Sequence, residues 1–211
     1  QGLLSLEEAE RLMGFCSNSG PAFLVGSIGA GVFGSARLGV GLYIIHVLAA
    51  AITGLFFRVD GKCRANAPAA PRESGGALIE SVRQPAQSIL SVCGFIVCFC
   101  VIIGLLDAHG MFSLLAGQLA QITGLELHAA RAALSGFLEL GSGIGAMRGL
   151  AVSPANLAIA AGIVGWGGVS VHFQTYAVLA DSDIKGGLHL AGRLINCAVS
   201  ATLGYIFGLL L

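Results

Sequence analysis

The 211-residue chain carries 11 basic and 11 acidic residues, so its formal net charge at pH 7 is zero. Charged residues make up 10% of the sequence and hydrophobic residues 55%, and the mean hydropathy is +0.86. Because an ordinary soluble domain contains about 25% charged residues, this composition indicates an integral membrane protein whose main partner is the lipid bilayer. A balanced net charge also argues against nucleic acid as a partner.

The first residues read as a short amphipathic helix, residues 3–12, with Glu7, Glu8 and Glu10 on its polar side. The sequence begins with Gln1 and shows neither an initiating Met nor a signal peptide. We therefore expect a fragment or a processed C-terminal half. Its first partner would be a missing N-terminal membrane half of the same protein, and a homo-oligomer is left open.

A polar motif precedes the first apolar run; it is Ser17-Asn18-Ser19-Gly20-Pro21. Asn and Ser are good helix N-caps and Pro is favoured in the first turn, so the motif predicts a helix start in apolar surroundings. In membrane proteins the positive end of such a helix often faces an anionic or polar substrate. The motif therefore predicts a substrate contact made by Ser17, Asn18, Ser19 and Gly20.

The apolar run that follows divides at Arg37 into residues 21–35 and residues 38–57. At about 1.5 Å per residue the first segment spans about 22 Å, less than the hydrocarbon core of about 30 Å, which predicts a broken or re-entrant helix. The second is long enough to cross. Small residues recur every four positions and predict a stripe for close helix contact; they are Ala22, Gly26, Ala30 and Gly34.

Residues 58–87 are predicted to form a polar loop, and its five basic residues place it on the cytoplasmic side. Residues 88–106 are predicted to span the membrane. Asp107 and His109 follow; they would form either a proton relay or, more ordinarily, a helix end at the interface. Residues 111–125 read as an interfacial or re-entrant helix.

Glu139 is the acid in the next apolar segment, residues 132–147, and glycines at 141, 143 and 145 follow it. A carboxylate near the bilayer centre costs about 3 kcal/mol, so we expect Glu139 to have a functional role. The glycines predict a helix break in residues 139–145. The ordinary alternative is a carboxylate paired with Arg131 or Arg148.

Ser153-Pro154 repeats the capping signal before residues 155–180, which contain no Asp, Glu, Lys or Arg. A continuous helix of that length would reach about 40 Å, so a hairpin is predicted over residues 154–180 with Gly167 and Gly168 at its tip. If the backbone beyond the tip were extended, alternate polar side chains would face one cavity. They are Ser170, His172 and Gln174.

The last predicted span, residues 188–211, carries Arg193 near its start. Arg193 would either extend to the membrane interface or face an anion.

The six cysteines match no zinc spacing, so five are interpreted as packing residues and Cys63 as a free thiol. No metal site and no enzymatic nucleophile–base pair is predicted.

Three motifs resemble the YlbJ (SpoVV) family of sporulation integral membrane proteins: residues 8–29, with Cys-Ser-Asn-Ser-Gly-Pro at 16–21, residues 137–140, and residues 167–174. The resemblance covers nearly the whole chain apart from residues 59–85 and the last span. It implies a distant relation to the gate, or nucleoside-recognition, domain of concentrative nucleoside transporters. The expected fold is therefore an all-α polytopic membrane protein with broken helices and re-entrant hairpins around a midplane site.

The resemblance also implies a function: transport of dipicolinic acid, a planar aromatic dianion, across the outer forespore membrane during endospore formation. Glu139 would repel such a dianion unless it were protonated or bound to a cation, so it is assigned to coupling with H⁺ or Na⁺. No cofactor is expected beyond that coupling ion. The substrate would contact the polar motif at 17–20 and Gly167, Gly168, Ser170, His172 and Gln174. Two alternatives stay open, an ion-coupled nucleoside transporter and a non-transporting membrane scaffold in sporulation.

Overall fold

The computed structural model describes residues 5–58, 77–180 and 182–211. Within these ranges every regular element is a helix, which confirms the all-α fold class. The elements are α1 (Leu6–Met13), a π-helix (Ala22–Val32), α2 (Ala36–Phe56), α3 (Ala77–Ala108), α4 (Met111–Thr123), α5 (Leu127–Leu138), α6 (Leu140–Ala146), α7 (Pro154–Trp166), α8 (Val169–Leu179) and α9 (Gly187–Leu209).

In the described part of the chain, four helical segments are long and apolar enough to cross a membrane. They are Ala36–Phe56, Ser81–Ala108, Pro154–Leu179 and Gly187–Leu209. Many large apolar side chains on α2, α3 and α9 are exposed. Burying such side chains in lipid is favourable, so the exposed apolar surface agrees with a polytopic membrane protein.

The centre of the fold is α9, which packs along both α7 and α2. Gly208 lies against Pro154 and Gly204 against the carbonyl of Leu157, so α7 and α9 run antiparallel. Gly41 lies against the ring of Phe207, which shows that the start of α2 meets the end of α9. Small residues thus set the close approach of these helices, as is usual in membrane proteins.

The helix that follows the polar motif, Ala22–Val32, is a π-helix, a rare form at this length. It turns at Gly34, whose φ is +67°, into α2 and packs back on it. The contact is between glycines: a Cβ on Gly29 would lie 2.5 Å from Cα of Gly39. The predicted stripe is wrong, since all four of its residues are exposed, Ala22, Gly26, Ala30 and Gly34. The stripe faces away from α2, and the close contact is made by Gly29 instead.

A second reversal occurs at Glu139, which separates α5 from α6 inside the predicted range. Its backbone is extended, with φ −143° and ψ 122°. The helices on either side fold against each other so closely that a Cβ on Gly143 would overlap Cα of Gly136. The pair α5–α6 therefore forms a helical hairpin that turns at Glu139.

The predicted hairpin over residues 154–180 is wrong. Gly167 and Gly168 do interrupt the helix, with φ of +89° and +85°. However, α7 packs along α9 whereas α8 packs on α3 and α5, so the chain continues past the break and does not return along α7. The extended backbone predicted beyond Gly168 is also wrong, since residues Val169–Leu179 are helical.

α3 begins at Ala77, so the last eleven residues of the predicted 58–87 loop are helical. Pro85 lies inside this helix. Residues 59–76, including Cys63, lie outside the described ranges. At its far end α3 is tied to α5 by an ion pair between Asp107 and Arg131, with a distance of 2.6 Å.

Candidate functional site

Arg193 is the most deeply buried charged side chain that the structure describes, with 2% of its surface exposed. Its Nε donates to the carbonyl of Trp166 at 3.1 Å and its Nη2 to the carbonyl of Val164 at 3.0 Å. Its Nη1 donates to the carbonyl of Ser17. The expectation that Arg193 extends to the interface is therefore wrong, because carbonyls at the end of α7 hold it inside the bundle.

No carboxylate of the described residues lies within ion-pair distance of Arg193. The charge is balanced instead by carbonyl dipoles at the C-terminus of α7, the negative end of that helix. A guanidinium has five N–H groups, and the three bonds leave two of them directed elsewhere. A buried cation that is balanced by dipoles alone favours a bound anion.

The helix break at Gly167 and Gly168 lies directly between Arg193 and Glu139. A Cβ on Gly167 would lie 3.0 Å from Nη2 of Arg193. A Cβ on Gly168 would lie 2.9 Å from the backbone N of Leu140 and 3.2 Å from Cα of Glu139. Both positions also have positive φ, so only glycine fits there without strain.

The loop before the π-helix, residues 17–20, contacts Arg193 and His46 through its backbone. The carbonyl of Ser17 binds Arg193, and the N–H of Ser19 donates to Nε2 of His46 at 3.0 Å. The predicted side-chain cap is wrong: Asn18 bonds back to the carbonyl of Phe15, and no side chain caps the π-helix. The motif therefore acts through main-chain groups held by α2 and α9.

Two buried histidines form a hydrogen-bonded chain beside this site. Nδ1 of His172 lies 3.2 Å from Nε2 of His189, and Nδ1 of His189 lies 3.3 Å from the carbonyl of Met13. A carbonyl only accepts, so Nδ1 of His189 carries a hydrogen and its Nε2 accepts from His172. In the neutral pair Nε2 of His172 is therefore a bare acceptor. This atom is buried and has no partner among the described residues.

Aromatic rings enclose one side of His172. Its ring centroid lies 4.3 Å from that of Trp166, and Trp166 stacks on Phe137 with an interplanar angle of 3°. Nε1 of Trp166 donates to the carbonyl of Phe137 at 2.9 Å, which fixes the indole. Flat apolar walls of this kind suit a planar aromatic ligand.

Several other buried polar atoms lack a partner among the described residues: Nδ1 of His46, Oγ1 of Thr53, Oγ of Ser170 and Nδ2 of Asn196. Buried polar groups in native proteins are almost always hydrogen-bonded. All of these atoms lie on α2, α8 or α9, the helices that surround Arg193 and the histidine chain. These atoms are therefore candidates for contacts with a polar ligand.

The structure places the predicted site residues in different parts of the fold. Ser17, Ser19 and Gly167 contact Arg193 or His46, and Gly168 lies against Glu139. Ser170 and His172 are buried on α8 beyond the glycine turn. Asn18 and Gly20 are exposed. Gln174 lies apart, because α8 is helical: it lines a crevice of about 650 Å³ between α3 and α8.

Sequence reasoning missed His46 and His189 and gave no firm role to Arg193. The available signal was the presence of ionisable residues inside apolar spans, which by itself marks functional candidates. His189 and Arg193 also stand four residues apart, on one face of α9.

Glu139 is 3% exposed and caps α6. Its Oε1 accepts from the N–H of Gly141 at 2.8 Å and its Oε2 from the N–H of Ser142 at 2.5 Å. The alternative of an ion pair with Arg131 is wrong, since Arg131 is bound to Asp107. A coupling role for Glu139 stays a prediction.

Asp107 at the end of α3 is engaged by Arg131, whose Nη1 also donates to Oγ of Ser113 at 2.8 Å. His109 bonds to the carbonyl of Leu105. These contacts match the simpler interpretation, a helix end at the interface.

Among the described residues no group of three His, Cys, Asp or Glu side chains is placed to hold a metal ion.

Comparison with known proteins finds one relative that bears on this site. No family model matches the chain, and no solved structure matches it. A curated protein of Bacillus subtilis (strain 168), the sporulation integral membrane protein YlbJ, is 29% identical over an alignment of 229 residues that covers 94% of the chain. The chain spans about half the length of that relative, 55%. The resemblance expected from the motifs is thus confirmed: this membrane protein is similar to sporulation integral membrane protein YlbJ over nearly its whole sequence.

Proposed function

We propose that this chain is part of a membrane transporter that moves dipicolinic acid across the outer forespore membrane during endospore formation. The observation that carries the proposal is the buried guanidinium of Arg193. It joins the loop before the π-helix to the end of α7 and has no carboxylate partner among the described residues. The similarity to a sporulation membrane protein supports the biological setting.

The site chemistry favours an anion over a neutral solute. Arg193 leaves two N–H groups for a carboxylate, and hydrogen bonds to charged groups contribute about 1.5–3 kcal/mol each. Buried hydroxyl, imidazole and amide atoms nearby lack partners among the described residues. A second carboxylate would find donors there, as a dianion requires.

The aromatic lining favours a planar ligand. Trp166 stacks on Phe137 and contacts the ring of His172, so the wall next to the unpartnered imidazole nitrogen is flat. A pyridine ring beside these side chains would gain about 0.5–1.5 kcal/mol for each aromatic pair that it forms. Charge and shape together match an aromatic dicarboxylate.

Interrupted helices provide the way in which the site would open. The π-helix start, the Glu139 break and the Gly167–Gly168 break lie against one another through Arg193 and Gly168. In secondary transporters such discontinuous helices form the substrate site and move relative to their neighbours. Glu139, at one break, is proposed to couple transport to H⁺ or Na⁺; a Glu139→Gln variant that still showed fully ion-coupled uptake would contradict this role.

The test is uptake of labelled dipicolinate into proteoliposomes containing the protein as its own gene encodes it. Removing the charge with Arg193→Gln is expected to lower uptake about 10-fold or more, the equivalent of one charged hydrogen bond. Arg148→Gln is the matched control, because Arg148 is exposed and should be dispensable. Arg193→Lys keeps the positive charge, so comparing it with Arg193→Gln separates the effect of losing the charge from the effect of misfolding.

The outcomes distinguish the alternatives. If uridine competes for uptake and dipicolinate does not, the nucleoside transporter is correct. If Arg193→Gln protein folds and transports like the Arg148→Gln control, the anion site is wrong. If the wild-type protein moves neither solute but spores still need it for their dipicolinate content, the scaffold alternative is correct.

A further inference from the structure

We propose that the His172–His189 pair is the proton-binding site of this protein and takes up a single proton when an anion binds beside Arg193. The inference rests on the proposed function, because it requires an anionic ligand. It assigns H⁺ to the histidine pair and leaves Na⁺ as the coupling ion proposed for Glu139, whose two oxygens both accept hydrogen bonds in capping α6.

The hydrogen-bonded chain has one open end. The carbonyl of Met13 fixes the hydrogen on Nδ1 of His189, and Nε2 of His189 in turn accepts from Nδ1 of His172. Every ring nitrogen of the pair is then engaged except Nε2 of His172, which is buried without a partner among the described residues. A proton delivered from water can add at that atom with no other bond broken.

The charge created in this way would be shared. Once Nε2 of His172 is protonated, its Nδ1 hydrogen can move along the 3.2 Å hydrogen bond to Nε2 of His189. His189 would then carry the imidazolium, held by the carbonyl of Met13. Two coupled sites that exchange a proton titrate as one unit.

Arg193 decides when the proton is taken up. It follows His189 by one helical turn and is close enough to act electrostatically on both rings. A second buried positive charge is unfavourable next to a guanidinium that has no carboxylate partner among the described residues. An anion bound to Arg193 removes that penalty, and by linkage the proton then strengthens binding of the anion.

The other ionisable groups near the histidine pair are either engaged elsewhere or few in number. Met13 and Glu10 come from α1, and Glu10 is bound to the backbone N–H of Lys185. α7 contributes no ionisable side chain, and Asp107 of α3 pairs with Arg131 of α5. The remaining ionisable groups near the pair are Tyr176 on α8, Arg193 and Cys197 on α9, His46 on α2 and Glu139, which lies against Gly168.

An added proton also makes a donor where the neutral pair has none. Nε2–H of His172 would be a buried donor on a ring that lies beside Trp166. It could donate to one carboxylate while Arg193 binds the other. The bound state would then hold a dianion with two positive charges, which closes the charge balance inside the bundle.

The test is calorimetric titration of the purified protein with dipicolinate near pH 7 in two buffers of different ionisation enthalpy. The difference in heat gives the number of protons taken up per bound ligand. We expect about one for the wild type, and close to none for His172→Gln and His189→Gln. His128→Gln is the control, because His128 is exposed and should leave the uptake unchanged.

A second measurement covers the case of variants that fail to fold. In wild-type protein, ¹⁵N spectra of the histidine rings should show Nε2 of His172 bare without ligand and protonated with it. Binding of dipicolinate without proton uptake, or unchanged uptake in folded His172→Gln, would overturn this inference and leave the proposed function standing. Failure of the wild type to bind dipicolinate would overturn both.

Discussion

The guanidinium of Arg193 donates to the carbonyl of Ser17, 176 residues earlier in the chain. This bond joins the last helix to the loop that precedes the π-helix. The same side chain binds the carbonyls of Val164 and Trp166, so one residue fixes the positions of two helix breaks. Any change that separates α9 from the first loop should therefore affect the site as a whole.

Gly192→Ala is expected to separate them. A Cβ at Gly192 would overlap the carbonyl oxygen of Gly14, and both backbones would have to give way. Moving α9 or the loop aside should cost about 1–3 kcal/mol, the usual penalty of overpacking. Denaturant unfolding in detergent would measure the loss, and dipicolinate uptake should fall with it.

Gly187→Ala is the matched control for this substitution. Gly187 begins the same helix, is exposed, and has nothing within 4 Å of the position that a Cβ would take. Alanine has the higher helix propensity, so the variant should be as stable as the wild type or slightly more so. Equal losses of stability in both variants would show that the close contact between Gly14 and Gly192 does not determine how α9 packs on the first loop.

Glu139→Ala is expected to weaken the α5–α6 hairpin. The N–H groups of Gly141 and Ser142 would lose their acceptor, and loss of a helix cap costs about 0.5–2 kcal/mol. Glu139→Asp retains a carboxylate, and Asp is a favoured capping residue, so it should recover most of the stability. Thermal unfolding of the two variants in the same detergent gives the comparison.

The same pair of variants tests whether Glu139 also has a role beyond the cap. If capping is its whole contribution, uptake by Glu139→Asp should follow its stability. A stable Glu139→Asp protein that has lost ion dependence would instead support the proposed coupling role. Retention of full stability by Glu139→Ala would contradict the capping role that the two short hydrogen bonds indicate.

Local features of the sequence predict much of this fold. Apolar length predicts the spans, and Ser153 with Pro154 predicts the start of α7, where the hydroxyl of Ser153 accepts from the N–H of Asn156. The breaks at Glu139 and at Gly167 also have local causes, a capping acid and a positive φ. Such signals depend only on residues within one helical turn of each other.

The candidate site was less predictable because its partners are backbone atoms. The carbonyls that hold Arg193 have no signature in the sequence, so the residue resembled one that extends to the interface. A Gly-Gly pair likewise marks a break but not the direction that the chain takes afterwards. That direction follows from the packing of α8 on α3 and α5, which is a tertiary effect.

The capping box of α1 should make that helix sensitive to acid. Two hydrogen bonds from Ser5, from its N–H at 2.8 Å and its hydroxyl at 2.9 Å, lower the pKa of the exposed Glu8 carboxyl below its ordinary value. A carboxyl whose pKa is lowered on folding stabilises the helix above its unfolded pKa of about 4.3, and this is lost as pH falls through the folded pKa.

An NMR titration of the Glu8 carboxyl carbon checks this directly. In the wild type the midpoint should lie below the ordinary Glu value of about 4.3, and amide protection in α1 should decrease as Glu8 becomes protonated. Ser5→Ala removes the hydroxyl and should move the midpoint of Glu8 upward. A midpoint that does not respond to Ser5→Ala would show that the N–H bond alone lowers the pKa.

Gly29→Ala should have the strongest effect on the first half of the fold. Its Cβ would lie 2.5 Å from Cα and 2.6 Å from N of Gly39, so backbone rather than a movable side chain blocks it. The π-helix would have to move off α2, at a cost of about 1–3 kcal/mol, and the N–H of Ser19 would be drawn away from His46. Gly26→Ala, in the same helix with nothing within 4 Å, should cost little. Denaturant unfolding of both variants decides the point: equal stabilities would mean that the π-helix is not held against α2 by this glycine contact, and that the loop at Ser17 needs another anchor.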